Sequence, residues 1–129
     1  MRIWALAGSL LLCAGPAAAN QVEIVHAQFD KSGERWNVGV TLRHADTGWD
    51  HYADQWRVVD AEGRVLAKRV LWHPHEDEQP FTRDLEDVKL PAGVTTVYIE
   101  AHDKVHGWSR QRVKVDLTAS HGNRFDVSH

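Results

Sequence analysis

Trp36, Val38, Val40 and Leu42 alternate strictly with Asn37, Gly39, Thr41 and Arg43. A period of two puts the apolar side chains on one face of a strand and the polar ones on the other. Strand-like runs of this kind, divided by turns, fill most of the chain. Gln21 to Phe29 is apolar and β-branched, and Lys31-Ser32-Gly33 breaks it. Trp56 to Val59 leads into Asp60-Ala61-Glu62-Gly63, which has hairpin-turn chemistry, and Val65 to Leu71 returns. Phe81 to Val88 is a weaker run. Pro91-Ala92-Gly93 then turns into Val97, Ile99 and Ala101, and Val113, Val115 and Leu117 close the set. No capping box opens a run of 3.6 period, so helix signals are absent. The reading is all-β: an immunoglobulin-like antiparallel β-sandwich of about seven strands, with Trp36 and Trp56 in its core.

The first residues read differently. Arg2, the apolar run Ile3 to Ala14 and the small residues Ala17-Ala18-Ala19 have the layout of a secretory signal peptide, with cleavage expected before Asn20. The expected division is a signal at 1–19, a sandwich domain at 20–117 and a polar tail at 118–129. A lipoprotein reading at Leu10-Leu11-Leu12-Cys13 lacks the small residue that should precede the cysteine. Cys13 is the only cysteine, so the chain from Asn20 onward has neither a disulfide nor a thiolate ligand. It has to stand on its apolar core. Without Arg2, 14 basic residues face 18 acidic ones, and the basic ones are scattered among the acids. That pattern gives no footprint for nucleic acid. No second apolar run suggests a transmembrane segment after signal cleavage. The expected location is periplasmic or secreted.

Six of the nine histidines fall in three inter-strand loops: His44 and His51, His73 and His75, His102 and His106. In an antiparallel sandwich alternate connections lie at opposite ends. The loops 44–53, 72–80 and 102–109 are therefore expected at one end, and the turns at 60–63 and 91–93 at the other. Imidazole is the commonest side-chain ligand for transition metals, so the pattern points to a metal site. Strand phase refines it. His44 continues the inward series of Leu42, and Asp103 continues that of Ala101, while His102 should face outward. His73-Pro74-His75 sets two imidazoles on one side of an extended segment, or forms a solvated loop beside Glu76-Asp77-Glu78. The metal candidates are His44, His51, His73, His75, Asp103 and His106.

Other readings are weaker. Asp46, Asp50 and Asp54 recur every four residues but lack the glycine and glutamate of an EF-hand. There is no nucleophile elbow and no phosphate loop. Trp49 and Trp108 are expected to wall the site or cover the open end of the sandwich, and Trp72 to act as a lid.

His44, then Asp50-His51-Tyr52, Trp56 and the Gly63 hairpin resemble the iron-binding domain of superoxide reductases (desulfoferrodoxin and neelaredoxin). Those proteins carry a His-Pro-Met … His-Tyr-Ile … Trp pattern on an immunoglobulin-like sandwich. Asp103 to Trp108 resembles their Cys-Asn-x-His-Gly segment. The spacings from His44 to His51 and from His51 to Trp56 are slightly longer here. The resemblance implies iron held by His44, His51 and His106. Asp103 stands where that family has an axial cysteine, which puts superoxide reduction in doubt. Over its whole length the chain is similar to small secreted proteins of proteobacteria that share the His-Ala-Asp-Thr-Gly-Trp-Asp-His-Tyr and His-Pro-His segments. The expected function is binding of copper, zinc or iron at one end of the sandwich. Another envelope protein or a glycan bound through the aromatic loops is the alternative, and a redox enzyme is the second.

Overall fold

The computed structural model describes residues 21–129, so the expected signal segment lies outside the described residues. Ten strands follow in order: β1 (Glu23–Ser32), β2 (Arg35–Arg43), β3 (Ala53–Val59), β4 (Val65–Val70), β5 (Phe81–Val88), β6 (Thr96–Asp103), β7 (Gly107–Trp108), β8 (Val113–Asp116), β9 (His121–Gly122) and β10 (Phe125–Ser128). No helix occurs among the described residues. One sheet has the order β5-β2-β1-β10-β9. The other runs β4-β3-β6-β7, with β8 also paired to β6. The two pack face to face as a β-sandwich, and the pairing is antiparallel except between β1 and β10.

Period two explains the packing. Trp36, Val38, Val40 and Leu42 are all buried, as are Val97, Ile99 and Ala101 on the opposing sheet. Trp56 and Phe29 lie fully inside the same core. Burying a side chain of this size contributes roughly 1.5–3 kcal/mol, and a sandwich of this kind holds together by the sum of such terms. The turns at the far end use glycine where only glycine is unstrained: Gly63 sits at φ 87° in the β3–β4 hairpin.

The segment expected as a polar tail is more ordered than its composition suggests. Phe125 and Val127 alternate with Asp126 and Ser128 and are buried, and β10 adds in parallel register beside β1, with Ala27 opposite Phe125. Four residues of alternation are too short a signal to stand out among polar neighbours. His129 also has a role. Its Nε2 lies 2.7 Å from the Leu117 carbonyl, and its ring meets Trp36 edge-on.

Candidate metal centre

The β2–β3, β4–β5 and β6–β7 connections converge at one end of the sandwich, as contacts among them demonstrate. His75 of the second loop donates its backbone N–H to Asp46 of the first. The rings of His51 and His106 lie 5.0 Å apart, joining the first loop to the third. The Asp60 turn and Pro91–Val94 line a common pocket with Arg64 and Val65 at the opposite end.

His44 and Asp103 are where strand phase puts them, inside the rim and buried, one from each sheet. Asp103 is built by a local turn. Its Oδ1 accepts the backbone N–H groups of Val105 at 2.8 Å and His106 at 2.7 Å, and the His106 Nδ1 lies at 3.2 Å. His44 Nε2 lies 3.7 Å from Asp103 Oδ2, and His51 Nε2 lies 3.5 Å from Oδ1. The second approach has the distance of an ion pair but not the direction of a hydrogen bond, so His51 Nε2 is buried without a hydrogen-bond partner. Asp103 Oδ2 is in the same condition. Leaving a buried polar atom unpaired costs about 1–3 kcal/mol, more when it is charged. Both atoms belong to residues of a group in which one ligand atom each from His44, His51 and Asp103 lies within 4.8 Å of the others. An ion seated there would satisfy both. The donor set, two imidazoles and a carboxylate, suits zinc, copper(II) or iron.

The other expected ligands take different places. His106 reaches Asp103 through the oxygen that the turn already holds, and its side chain is about a quarter exposed. His75 is buried and stacked on Phe81 at 3.9 Å. Its Nε2 is engaged by Arg83 Nη2 at 2.9 Å, so it does not enter the group. Burial first, then the neighbouring Arg83 and His73, hold the His75 pKa below the ordinary imidazole value. His73 is exposed and reaches only the Pro74 carbonyl, at 3.1 Å. His102 faces outward as expected, paired to Asp54 at 2.6 Å.

Asp46 is a site residue that the sequence does not single out, and it ties three segments together. Its Oδ1 meets His44 Nδ1 at 2.6 Å and accepts the Ala53 N–H at 3.1 Å, while Oδ2 takes the His75 N–H at 2.7 Å. Burial pushes its pKa up, but these hydrogen bonds outweigh it and hold the carboxyl below its usual value. The available signal was its position two residues after an inward-facing histidine.

The tryptophans correct another expectation. Trp72 is 73 % exposed and Trp49 65 %, so neither closes the end of the sandwich. Tyr52 is the buried ring, edge-on to Trp49. Trp108 lies on the outer face of its sheet beside His102, with the Arg57 guanidinium 3.6 Å above it, and does not wall the site.

No family model matches the chain, and no solved structure matches it. A protein of Halomicrobium mukohataei described as "Putative lipoprotein" is 38% identical over 97 residues, covering 74% of this chain and 47% of that protein. The chain thus spans about half the length of the curated relative it matches.

Proposed function

We propose that this protein is exported and binds one transition-metal ion, zinc, copper(II) or iron, through His44, His51 and Asp103, with His106 held against the same carboxylate. The observation that carries this reading is the pair of buried, unpartnered atoms, His51 Nε2 and Asp103 Oδ2, in a cluster of ligand-type groups. A buried carboxylate oxygen facing imidazoles is costly in an empty site and favourable in a filled one. Binding, storage or delivery fits this site better than catalysis, because no group within it is arranged as an acid, base or nucleophile beyond the ligands themselves. Likeness to a protein named as a lipoprotein supports an exported, envelope-associated setting. The among-strand position of Asp103, in place of a thiolate, is why superoxide reduction ranks below simple binding.

The test is metal analysis of untagged protein purified from its native compartment, followed by calorimetric titration with Zn(II), Cu(II) and Fe(II). Stoichiometric metal, lost on replacing His44 and Asp103 together, is the expected result. A chain that holds no metal and takes up none at micromolar concentration overturns the reading.

A second reading has its own observation. Trp49, Trp72 and Val105 are exposed, one on each of the three loops around the cluster. The two indole rings are good anchors for another protein or a glycan, with Val105 adding apolar surface. This reading needs no metal, and an envelope partner that binds the metal-free protein equally well would favour it.

A further inference from the structure

We propose that Asp46 is a positioning residue: it keeps a proton on His44 Nδ1, so that Nε2 is the atom His44 turns toward His51 and Asp103, and the 71–80 loop holds Asp46 in place. The metal half of this argument rests on the reading above.

An ionised carboxylate only accepts hydrogen bonds. The groups that meet the Asp46 carboxylate are donors or have to become one: the Ala53 N–H on Oδ1, the His75 N–H on Oδ2, and the His44 ring at 2.6 Å. With the Asp46 side chain fully buried, no water competes for these positions. His44 Nδ1 therefore carries a hydrogen. When the ring is neutral its lone pair is then on Nε2, the nitrogen 3.7 Å from Asp103 Oδ2. Carboxylates that fix a ligand imidazole in this way commonly change metal affinity 10–100-fold when removed, as an order of magnitude.

The support for Asp46 comes from the second loop. A guanidinium has no acceptor, so Arg83 Nη2 at 2.9 Å makes His75 Nε2 the acceptor and leaves the ring hydrogen on Nδ1. That Nδ1 is 4.0 Å from Asp46 Oδ2, too far for a hydrogen bond. His75 thus supports Asp46 through its backbone N–H, with its ring wedged on Phe81 and pinned by Arg83. Gln79 closes the arrangement. Its Oε1 accepts the His44 backbone N–H at 3.0 Å, and its Nε2 donates to the His75 carbonyl at 2.8 Å. A residue that merely stapled two loops would be indifferent to which His44 nitrogen bears the hydrogen.

The experiment is a long-range proton–nitrogen NMR spectrum of the metal-free protein labelled at histidine nitrogen. His44 is expected to show a protonated Nδ1. A His44 with a bare Nδ1 and its hydrogen on Nε2 overturns the proposal. Asp46→Asn supplies the second arm. An amide must turn its NH2 group against the Ala53 and His44 donors or against the His75 N–H. Binding of Zn(II) or Co(II) should weaken about 10–100-fold, with the β-sheet circular dichroism retained. Wild-type affinity in Asp46→Asn, with Nδ1 still protonated, also overturns it. If the variant does not fold, the wild-type spectrum alone decides. A wild-type chain that takes up no metal would end the metal reading only, because the His44 hydrogen is located without metal.

Discussion

Each end of the sandwich buries an aspartate at the rim of the core, and the two are treated in opposite ways. At the far end, Asp60 is saturated. Its Oδ1 accepts the backbone N–H groups of Glu62 at 2.9 Å and Arg64 at 2.8 Å, and Oδ2 pairs with Arg64 Nε at 2.8 Å. At the loop end, Asp103 has one oxygen held by a similar turn and the other buried without a hydrogen-bond partner, facing histidines. In both residues Oδ1 caps a short local turn, and for Asp60 the neighbouring Arg64 side chain takes Oδ2 as well. Local structure accounts for both oxygens of Asp60 and for only one of Asp103. The remainder is the feature on which the proposed metal site rests. Burial and acidity alone do not distinguish the two carboxylates, whereas the unfilled acceptor on Asp103 does.

The largest way to test that difference is to fill it. A metal that binds only the folded state at a free concentration 100 times its Kd stabilises by about 2.7 kcal/mol. For a domain of this size that raises Tm by on the order of ten degrees. Thermal melts with and without Zn(II) should show the shift in the wild type and in Asp60→Ala, although the latter melts earlier. The shift should vanish when His44 and Asp103 are both replaced by alanine. A shift that survives in that double variant would place the ligands elsewhere.

The next test uses one substitution at both ends. Asp103→Asn keeps an oxygen for the Val105 and His106 N–H groups and replaces the unpaired charged oxygen with an NH2 group near His44 Nε2. The metal-free protein should be unchanged or more stable by up to about 1 kcal/mol, because a buried carboxylate oxygen without a hydrogen bond is gone. Metal binding should fall sharply. Asp60→Asn should instead lower Tm, since its oxygen stays with the Glu62 and Arg64 N–H groups while its NH2 group replaces the oxygen paired with the Arg64 side chain and meets that donor head-on. Chemical denaturation of both variants provides the comparison. Equal losses at the two ends would make Asp103 a structural staple like Asp60.

Acid separates the ends by pH. The Asp60 carboxyl is held below its ordinary value by the Arg64 backbone N–H first, against burial, with the Arg64 side chain and the Glu62 N–H adding to it. A lowered folded pKa contributes stability that is fully present above the unfolded value of about 3.9 and is lost as pH falls through the folded value. The stability gap between wild type and Asp60→Asn should therefore be constant near neutrality and shrink below about pH 4. A gap that stays constant to pH 2 would show that the charge on Asp60 does not matter.

How much of this was legible in the sequence depended on the distance over which the signal acts. The alternation through Trp36 and Leu42 runs on to His44, and that through Val97 and Ala101 runs on to Asp103, so both could be aimed inward by period alone. His51 was suggested by loop density and by the topological rule that alternate connections share an end. His75 was expected in the ligand set because two imidazoles flank a proline. The sequence has no means of showing that Arg83, on the following strand, donates to its ring. The role of Asp46 depends on three partners from three segments, which only the fold brings together. β10 is hidden from a reading by period because its pattern is four residues long, and its parallel pairing to β1 is a contact about 100 residues away in sequence.

The smallest expected effect concerns the rim itself. A lid over the loop end would bury its rings against the cluster, and cutting it away would cost stability and open the site. Trp72 and Trp49 are instead mostly exposed, with Tyr52 as the buried ring behind Trp49. Surface substitutions away from caps, cores and networks usually change stability by no more than about 0.5 kcal/mol. Trp49→Ser and Trp72→Ser should each stay within that range and leave metal affinity unchanged, while Tyr52→Ser should destabilise clearly. The measurement is urea denaturation beside metal titration of the three variants. A Trp72→Ser variant that loses more than about 1 kcal/mol would restore the lid and blur the contrast between the two ends. Two neutral tryptophan variants would leave the exposed rings to serve contacts outside the molecule, next to a site whose own parts are already accounted for.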